Sequence, residues 1–230
     1  MEKKGIVYLI PSLLDEDGIN AIPTYILDAV KCCEVFFVEN ERTARRYLKK
    51  LWKEIVIDNY KWYNVEDADT FKKKLKEEKT IGIISEAGSP GIADPGQSLI
   101  AIAHEINAEV KPLVGPNSIL LALMASGMNG QHFQFHGYLP IENYERTKAI
   151  KELEAESKKK NCTQIFIETP YRNNQVIESL LKTCKENTLL CIAANLTSPK
   201  EFIKTKKIAE WKSNKPDLHK QPAIFCLLSR

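Results

Sequence analysis

Short apolar runs alternate along the chain with longer segments whose apolar residues recur at helical spacing. Ile6-Val7-Tyr8-Leu9-Ile10, Val35-Phe36-Phe37-Val38 and Ile81-Gly82-Ile83-Ile84 each read as a buried strand. Ile55-Val56-Ile57 predicts a shorter strand, and Val110 to Val114 another. Between them, Tyr25 to Cys33 (behind Pro23), Glu41 to Leu51 and Gln97 to Ile106 carry helical patterns. Asn64-Val65-Glu66-Asp67 predicts a helix cap, with the helix running to about Lys79. Strands alternating with helices predict an α/β domain with a mostly parallel sheet.

The second half continues in a different series. Asn117 or Ser118 caps a helix that Gly127 ends, and Ile119 to Ala125 is apolar nearly all round, which predicts a buried helix. Phe133 to Pro140 alternates as a strand, Glu145 to Lys160 is a charged helix, and Thr163 to Glu168 is a strand. A helix from Asn173 to Glu186 and strands at Leu189 to Ala194 and Ala223 to Leu228 follow, while Phe202 to Trp211 fits either type. The expected division is therefore an α/β domain over 1–114 and a second over 115–230.

Composition narrows the class. Hydrophobic residues make up 43% of the 230, enough for two cores, and the net charge of +3 neither demands nor excludes nucleic acid. No apolar run approaches the roughly 18 residues of a membrane span. The first apolar run, Gly5 to Ile10, is too short and too rich in β-branched residues for a signal peptide. The six cysteines lack metal-ligand spacing, Cys32 and Cys33 being adjacent, so reduced buried thiols in a cytoplasmic protein are expected. His132 and His136 lie on one face of a strand but too far apart to share a metal, and no metal site is expected.

The segment with most chemical content is Ser85-Glu86-Ala87-Gly88-Ser89-Pro90-Gly91-Ile92-Ala93-Asp94-Pro95-Gly96. It follows a strand and precedes a helix, which is where a parallel sheet places its ligand crevice. Glycine permits close approach of backbone to a ligand, and proline holds a loop in one shape. Glu86 and Asp94 offer acceptors to a ribose or an ammonium group; the alternative is a rigid structural loop. No dinucleotide fingerprint, phosphate loop or nucleophile elbow is present.

The order of five blocks resembles a family. The loop is similar to the Ser-Asp-Ala-Gly-Thr-Pro-Gly-Ile-Ser-Asp-Pro-Gly signature of the ribosomal RNA small subunit 2′-O-methyltransferase I branch. That branch belongs to the class III, tetrapyrrole-methylase-like S-adenosylmethionine methyltransferases. Val38-Glu39-Asn40-Glu41-Arg42 resembles its Ala-Glu-Asp-Thr-Arg, and Val114-Gly115-Pro116-Asn117-Ser118 its Pro-Gly-Pro-x-Ala/Ser. Ser126-Gly127-Met128 with Phe135-His136-Gly137-Tyr138-Leu139-Pro140 resembles Ser-Gly-Leu and Phe-x-Gly-Phe-Leu-Pro. Glu168-Thr169-Pro170-Tyr171-Arg172 resembles Glu-Ser-Pro-His-Arg. The blocks span residues 5 to 198.

Departures stand beside the matches. The branch's Pro-Thr-Pro-Ile-Gly-Asn is Pro11-Ser12-Leu13-Leu14-Asp15-Glu16 here, and Glu86 replaces the signature Asp. Asn40 and Glu41 replace Asp and Thr, and Glu-Leu-Thr-Lys is reduced to Asn195-Leu196-Thr197-Ser198. The branch's additional C-terminal segment is expected to be lacking.

The resemblance implies a two-domain class III fold, each domain a mainly parallel or mixed sheet flanked by helices. It also implies S-adenosyl-L-methionine bound between the domains, an RNA acceptor and a homodimer. Carried over by position, Pro11, Glu86, Ala87, Gly88, Pro90, Gly91 and Ile92 would line the cofactor from one side. Ser118, Ile119, Ile167, Pro222 and Ala223 would line it from the other. Glu39, Arg42, Glu168 and Arg172 are the candidate catalytic groups on the acceptor side.

Each of these has a plainer reading: Ser118 as a helix cap, Pro222-Ala223 as a strand start, and each Glu as an ion-pair partner of its neighbouring Arg. Arg42, Arg45, Arg46, Lys49 and Lys50 are either phosphate contacts or a solvated helix face. Methylation of a tetrapyrrole-like small molecule and a non-catalytic binding role remain as alternatives.

Overall fold

The computed structural model describes residues 5–230; Met1 to Lys4, the lead into the first strand, lie outside them. The chain divides into two units, Met1–Asn117 and Ser118–Arg230.

The first unit runs β1 (Ile6–Ile10), α1 (Ile26–Cys32), β2 (Val35–Val38), α2 (Glu41–Leu51), β3 (Lys61–Asn64), α3 (Ala68–Lys76), β4 (Thr80–Ile84), α4 (Gln97–Glu105) and β5 (Glu109–Pro112). Its five strands are all parallel, in the order β3-β2-β4-β1-β5. The central strands are covered on both faces, which is why they read as unbroken apolar runs. Ile10, Phe36, Val38 and Ile84 pack under α1 and α2 with Ile26, Val30, Tyr47 and Leu48. The alternate residues Val7, Val35, Phe37, Ile81 and Ile83 pack under α3 and α4 with Phe71, Leu75, Leu99 and Ala103.

The strand expected over 55–57 is not formed. Ile55 is buried in the α1–α2 core, Ile57–Asn59 is a 3-10 turn, and the edge strand lies later, at Lys61–Asn64. Two aromatic pairs hold it: Trp62 stacks on Phe36 at 5.0 Å and Tyr63 on Phe37 at 5.2 Å. With only two apolar residues, this strand carries no periodic signal. Within the expected cap of residues 64–67, Asp67 is the capping residue of α3, its carboxylate accepting from the Thr70 amide at 3.0 Å.

The second unit runs α5 (Ser118–Ser126), β6 (Phe133–Tyr138), α6 (Asn143–Lys160), β7 (Thr163–Glu168), α7 (Asn173–Thr183), β8 (Leu189–Ala194), β9 (Phe202–Lys207), α8 (Ile208–Ser213) and β10 (Ala223–Leu228). The sheet is mixed, in the order β6-β7-β10-β8-β9, with only β6 and β7 parallel. Helices α6, α7 and α8 cover one face through Ile150, Leu153, Val176, Leu180, Ile208 and Trp211. The ambiguous segment divides into β9 and α8, and the Trp211 indole donates to the Leu190 carbonyl at 2.9 Å.

Helix α5 lies against β8, β9 and β10, but it is not buried all round. Ile119, Ala122 and Leu123 are buried, whereas Leu120 is 46% and Met124 79% exposed. The helix meets the sheet along one stripe only, so uniform hydrophobicity overstated its burial. The cysteines are free; Cys33, Cys162, Cys184, Cys191 and Cys226 are buried, but Cys32, on the outer side of α1, is exposed.

Candidate active site

In the first unit the connection leaving β1 passes over β4 to reach β2, and the one leaving β4 passes over β1 to reach β5. The strand order reverses between these two neighbours, and the loops beyond their carboxyl ends flank a crevice. The loops are joined directly. The Ser12 amide donates to the Gly88 carbonyl at 2.8 Å, and the Gly88 amide to the Ser12 carbonyl at 3.3 Å. The Ser85 hydroxyl donates to the same Gly88 carbonyl at 2.7 Å. From α2, the buried Tyr47 hydroxyl donates to the Pro11 carbonyl at 2.8 Å.

The Gly/Pro loop is braced from within. One Asp94 oxygen accepts from the amides of Gly91 (3.1 Å) and Gly96 (2.8 Å). That carboxylate therefore shapes the loop, rather than serving chiefly as a ligand acceptor. Gly88 and Gly91 have φ of +77° and +80°, the left-handed region that favours glycine. Glu86 and Ala87 are exposed at the tip, Ile92 is 49% exposed, and Pro90 is buried beneath. Pro11 is packed by Gly115, where a Cβ would lie 2.3 Å from its ring.

Glu39 follows β2 and faces carboxylates. Burial raises the pKa of its carboxyl above the ordinary glutamate value, and the charges of Asp94 and Glu86 raise it further; a hydrogen bond from the Glu86 backbone acts the other way. Among the described residues no Glu39–Arg42 ion pair forms. Arg42 is exposed on the first turn of α2, which Asn40 caps by accepting from the amides of Arg42 (3.0 Å) and Thr43 (3.4 Å). Asn caps a helix as well as Asp does, so the Asn40 departure leaves this turn unchanged. The Thr43 hydroxyl donates to Glu86 Oε1 at 2.5 Å, tying α2 to the loop.

A cavity of about 260 Å³ opens beside this junction, lined by Ser12 to Glu16, by Thr43, Ala44, Arg46, Tyr47 and Lys50 of α2, and by Ser85 to Ala87. Ser12, Thr43 and Tyr47 were not singled out by the sequence reading, because they bond to segments 36 to 76 residues away in the chain, a relation that no local spacing encodes.

In the second unit, Ile167 and Glu168 end β7, and Pro222 precedes Ala223 of β10. Ala223 pairs with both Glu168 and Ala194, and Ile224 with Ile167. Four sequence-predicted residues thus share one end of this sheet. Glu168 is buried there, and its Oε1 accepts from Arg172 Nε (3.0 Å), Arg172 Nη2 (2.5 Å) and the Thr169 amide (2.6 Å). The ion pair of the plainer reading is formed at this position. Ser118 and Ile119 begin α5, with Ile119 buried.

No protein-family model matches the chain. It is 28% identical over 232 residues to a protein of Buchnera aphidicola subsp. Schizaphis graminum named ribosomal RNA small subunit methyltransferase I. That match takes in 99% of this chain and 79% of the relative. It is 29% identical to the protein of the same name in Bacillus subtilis, over 87% of this chain and 67% of that one. The chain is a relative of these methyltransferases. Among solved structures the methyltransferase CobJ superposes with a TM-score of 0.62, at 14% identity over 98% of this chain and 94% of the other. The uroporphyrin-III-C-methyltransferase of Thermus thermophilus does so with a TM-score of 0.55, at 15% identity over 98% and 92%. The fold is the class III, tetrapyrrole-methyltransferase fold. Within that relationship, the Gly/Pro loop and the Glu39 segment are the blocks that meet at the β1–β4 switch point. No described helix is long and apolar enough to cross a membrane.

Proposed function

We propose that this chain is an S-adenosylmethionine-dependent methyltransferase acting on RNA, with a ribose 2′-hydroxyl as acceptor. The observation that carries the reading is the backbone bridge between Ser12 and Gly88 at the switch point, seen together with the match to small-subunit methyltransferases I. The residues present suit the cofactor. Glu39, Glu86 and Asp94 place three carboxylates near one another beyond the carboxyl ends of β2 and β4. A ligand carrying a sulfonium and an ammonium relieves their mutual repulsion. When bound, S-adenosylmethionine supplies a methyl group already activated for transfer.

What the protein adds is alignment and exclusion of water, which needs fixed backbone more than reactive side chains. The braced loop supplies that fixity in the first unit. Pro11, Glu86 to Gly88 and Pro90 to Ile92 form the wall assigned to the cofactor. In the second unit, Ser118, Ile119, Ile167, Pro222 and Ala223 are the positions that the resemblance assigns to the cofactor. Glu39, with its raised proton affinity, is the group suited to accept the proton of the attacking hydroxyl. Glu168 and Arg172 hold the end of β7 in place for the acceptor side.

A two-fold homodimer belongs to the same reading, with the exposed Met124 on α5 as part of its interface. Light scattering tests it against the 26.2 kDa of one chain. The reading as a whole is tested by thermal unfolding with S-adenosylhomocysteine. A ligand at a hundredfold excess over its dissociation constant stabilises by about 2.7 kcal/mol. No shift at millimolar concentration contradicts it.

A further inference from the structure

The five cations of α2 do not form one group. Lys49 Nζ donates to the carbonyls of Ile55 (2.6 Å) and Lys53 (3.3 Å), closing the end of its own helix. Arg45 pairs with Glu41 and lies over the Trp62 ring at 5.4 Å. Arg42, Arg46 and Lys50 remain, at i, i+4 and i+8 along one stripe of the helix. Arg46 and Lys50 line the cavity beside the switch point, and both reach Glu16. Arg46 Nη1 lies 3.6 Å from the Glu16 carboxylate, and Lys50 Nζ donates to the Glu16 carbonyl.

We propose that Arg46 and Lys50 are phosphate contacts for the RNA strand, and that the Glu16 carboxylate is the intramolecular anion the strand displaces from Arg46, while Lys50 exchanges the Glu16 carbonyl for a phosphate. This rests on the RNA-methylation reading above and names the residues that admit its acceptor. Three observations support it. The stripe repeats at about 6 Å along the helix axis and continues past the cavity to Arg42, which suits the repeating charges of a strand. A compact polycarboxylate calls instead for cations converging on one point.

The Glu16 contact is also weak enough to exchange. Its side chain is 88% exposed and that of Arg46 60%, and exposed ion pairs contribute little to stability. Finally, Glu16 stands where the resembled branch has Asn, in the turn where this chain departs from its pattern. The contact is therefore a property of this chain's own loop.

The test is equilibrium binding of single-stranded polyuridylate across a salt series, with the full chain, Glu16→Gln and the double variant Arg46→Ala/Lys50→Ala. Losing two phosphate contacts should flatten the plot of log affinity against log salt by about 1.4, at roughly 0.7 per phosphate for single strands. Affinity at low salt should fall at least tenfold. Glu16→Gln should bind more tightly than the parent. An unchanged slope in the double variant, no binding of RNA by the parent, or binding of uroporphyrin in place of RNA each overturns the proposal. Unchanged affinity in Glu16→Gln overturns the role of Glu16. S-adenosylhomocysteine melting shifts on the same proteins separate the two levels. If the parent fails to bind the cofactor product, the methyltransferase reading falls. If it binds and the salt slope does not respond, only the phosphate contacts fall.

Discussion

Ser12 and Gly88 exchange backbone hydrogen bonds in both directions, 76 residues apart in sequence and two residues past the end of β1 on one side. The pair extends the β1–β4 contact beyond the sheet, so the loops on either side of the crevice move as one body. Ser85 and Tyr47 add bonds to the carbonyls on either side of the bridge.

Gly88→Ala should therefore damage both stability and binding. An L residue at φ +77° costs about 1–2 kcal/mol. Its Cβ would also meet Leu14 Cδ2 at 3.3 Å and the Pro116 carbonyl at 3.4 Å. Thermal unfolding should show the loss, and the variant should gain less stability from S-adenosylhomocysteine than the parent does.

Glu86→Ala should weaken S-adenosylhomocysteine binding by about 1.5–3 kcal/mol, the range for hydrogen bonds to charged groups. Glu86→Asp should cost less or improve binding, because it restores the residue of the resembled signature. Thr43→Val, which removes the donor to Glu86 Oε1, should weaken binding by a smaller amount. Calorimetry on the three variants orders them; parental affinity in Glu86→Ala would make the carboxylate structural.

Burial is the first cause of the raised Glu39 pKa, with Asp94 and Glu86 behind it. An acid whose pKa is higher folded than unfolded binds its proton more tightly in the native state. Its contribution to stability is therefore most favourable below the ordinary glutamate pKa and falls away as pH rises through the folded-state value. Glu39 is exposed, so solvent screens the repulsion, and Glu39→Gln should melt at or only slightly above the parent at pH 7. The difference should vanish in acid. Methyl transfer should drop at pH 7, because the base role proposed for Glu39 needs an ionisable carboxylate to take the proton.

Arg172→Ala leaves Glu168, whose side chain is 1% exposed, without its cation. Breaking a buried pair by removing one partner costs about 3–5 kcal/mol, and the lower end applies because Arg172 keeps 23% exposure. Glu168→Gln with Arg172→Met should recover part of the loss in denaturant unfolding, since a neutral pair leaves no buried charge.

The central strands and the Gly/Pro loop were legible because burial on both faces and left-handed turns demand particular residues. Val35–Val38 has no polar position to satisfy, and Gly88 and Gly91 sit where φ is positive. The edge strand was not legible: Lys61 and Asn64 face solvent, and Trp62 and Tyr63 are fixed by rings on a neighbouring strand. The exposure of Met124 was hidden because an apolar residue reads the same whether or not a partner covers it. At the site, the carboxylates stood out as residue types, but their partners did not. Thr43 and Tyr47 look like ordinary helix positions until α2 is laid beside the loops that they hold. The same folding placed Asp94 on its own loop's amides and Glu168 on Arg172, uses that spacing alone leaves open.

Methyl transfer to an RNA ribose leaves a chemical mark that alkali cannot remove. The protein is incubated with methyl-labelled S-adenosylmethionine and small-subunit ribosomal RNA from cells lacking this gene, and the RNA is then digested with alkali. Label should remain in alkali-resistant dinucleotides, because a methylated 2′-oxygen can no longer attack the neighbouring phosphate. Label absent from the RNA, or carried only by a tetrapyrrole offered in competition, would rule out the RNA ribose as the acceptor.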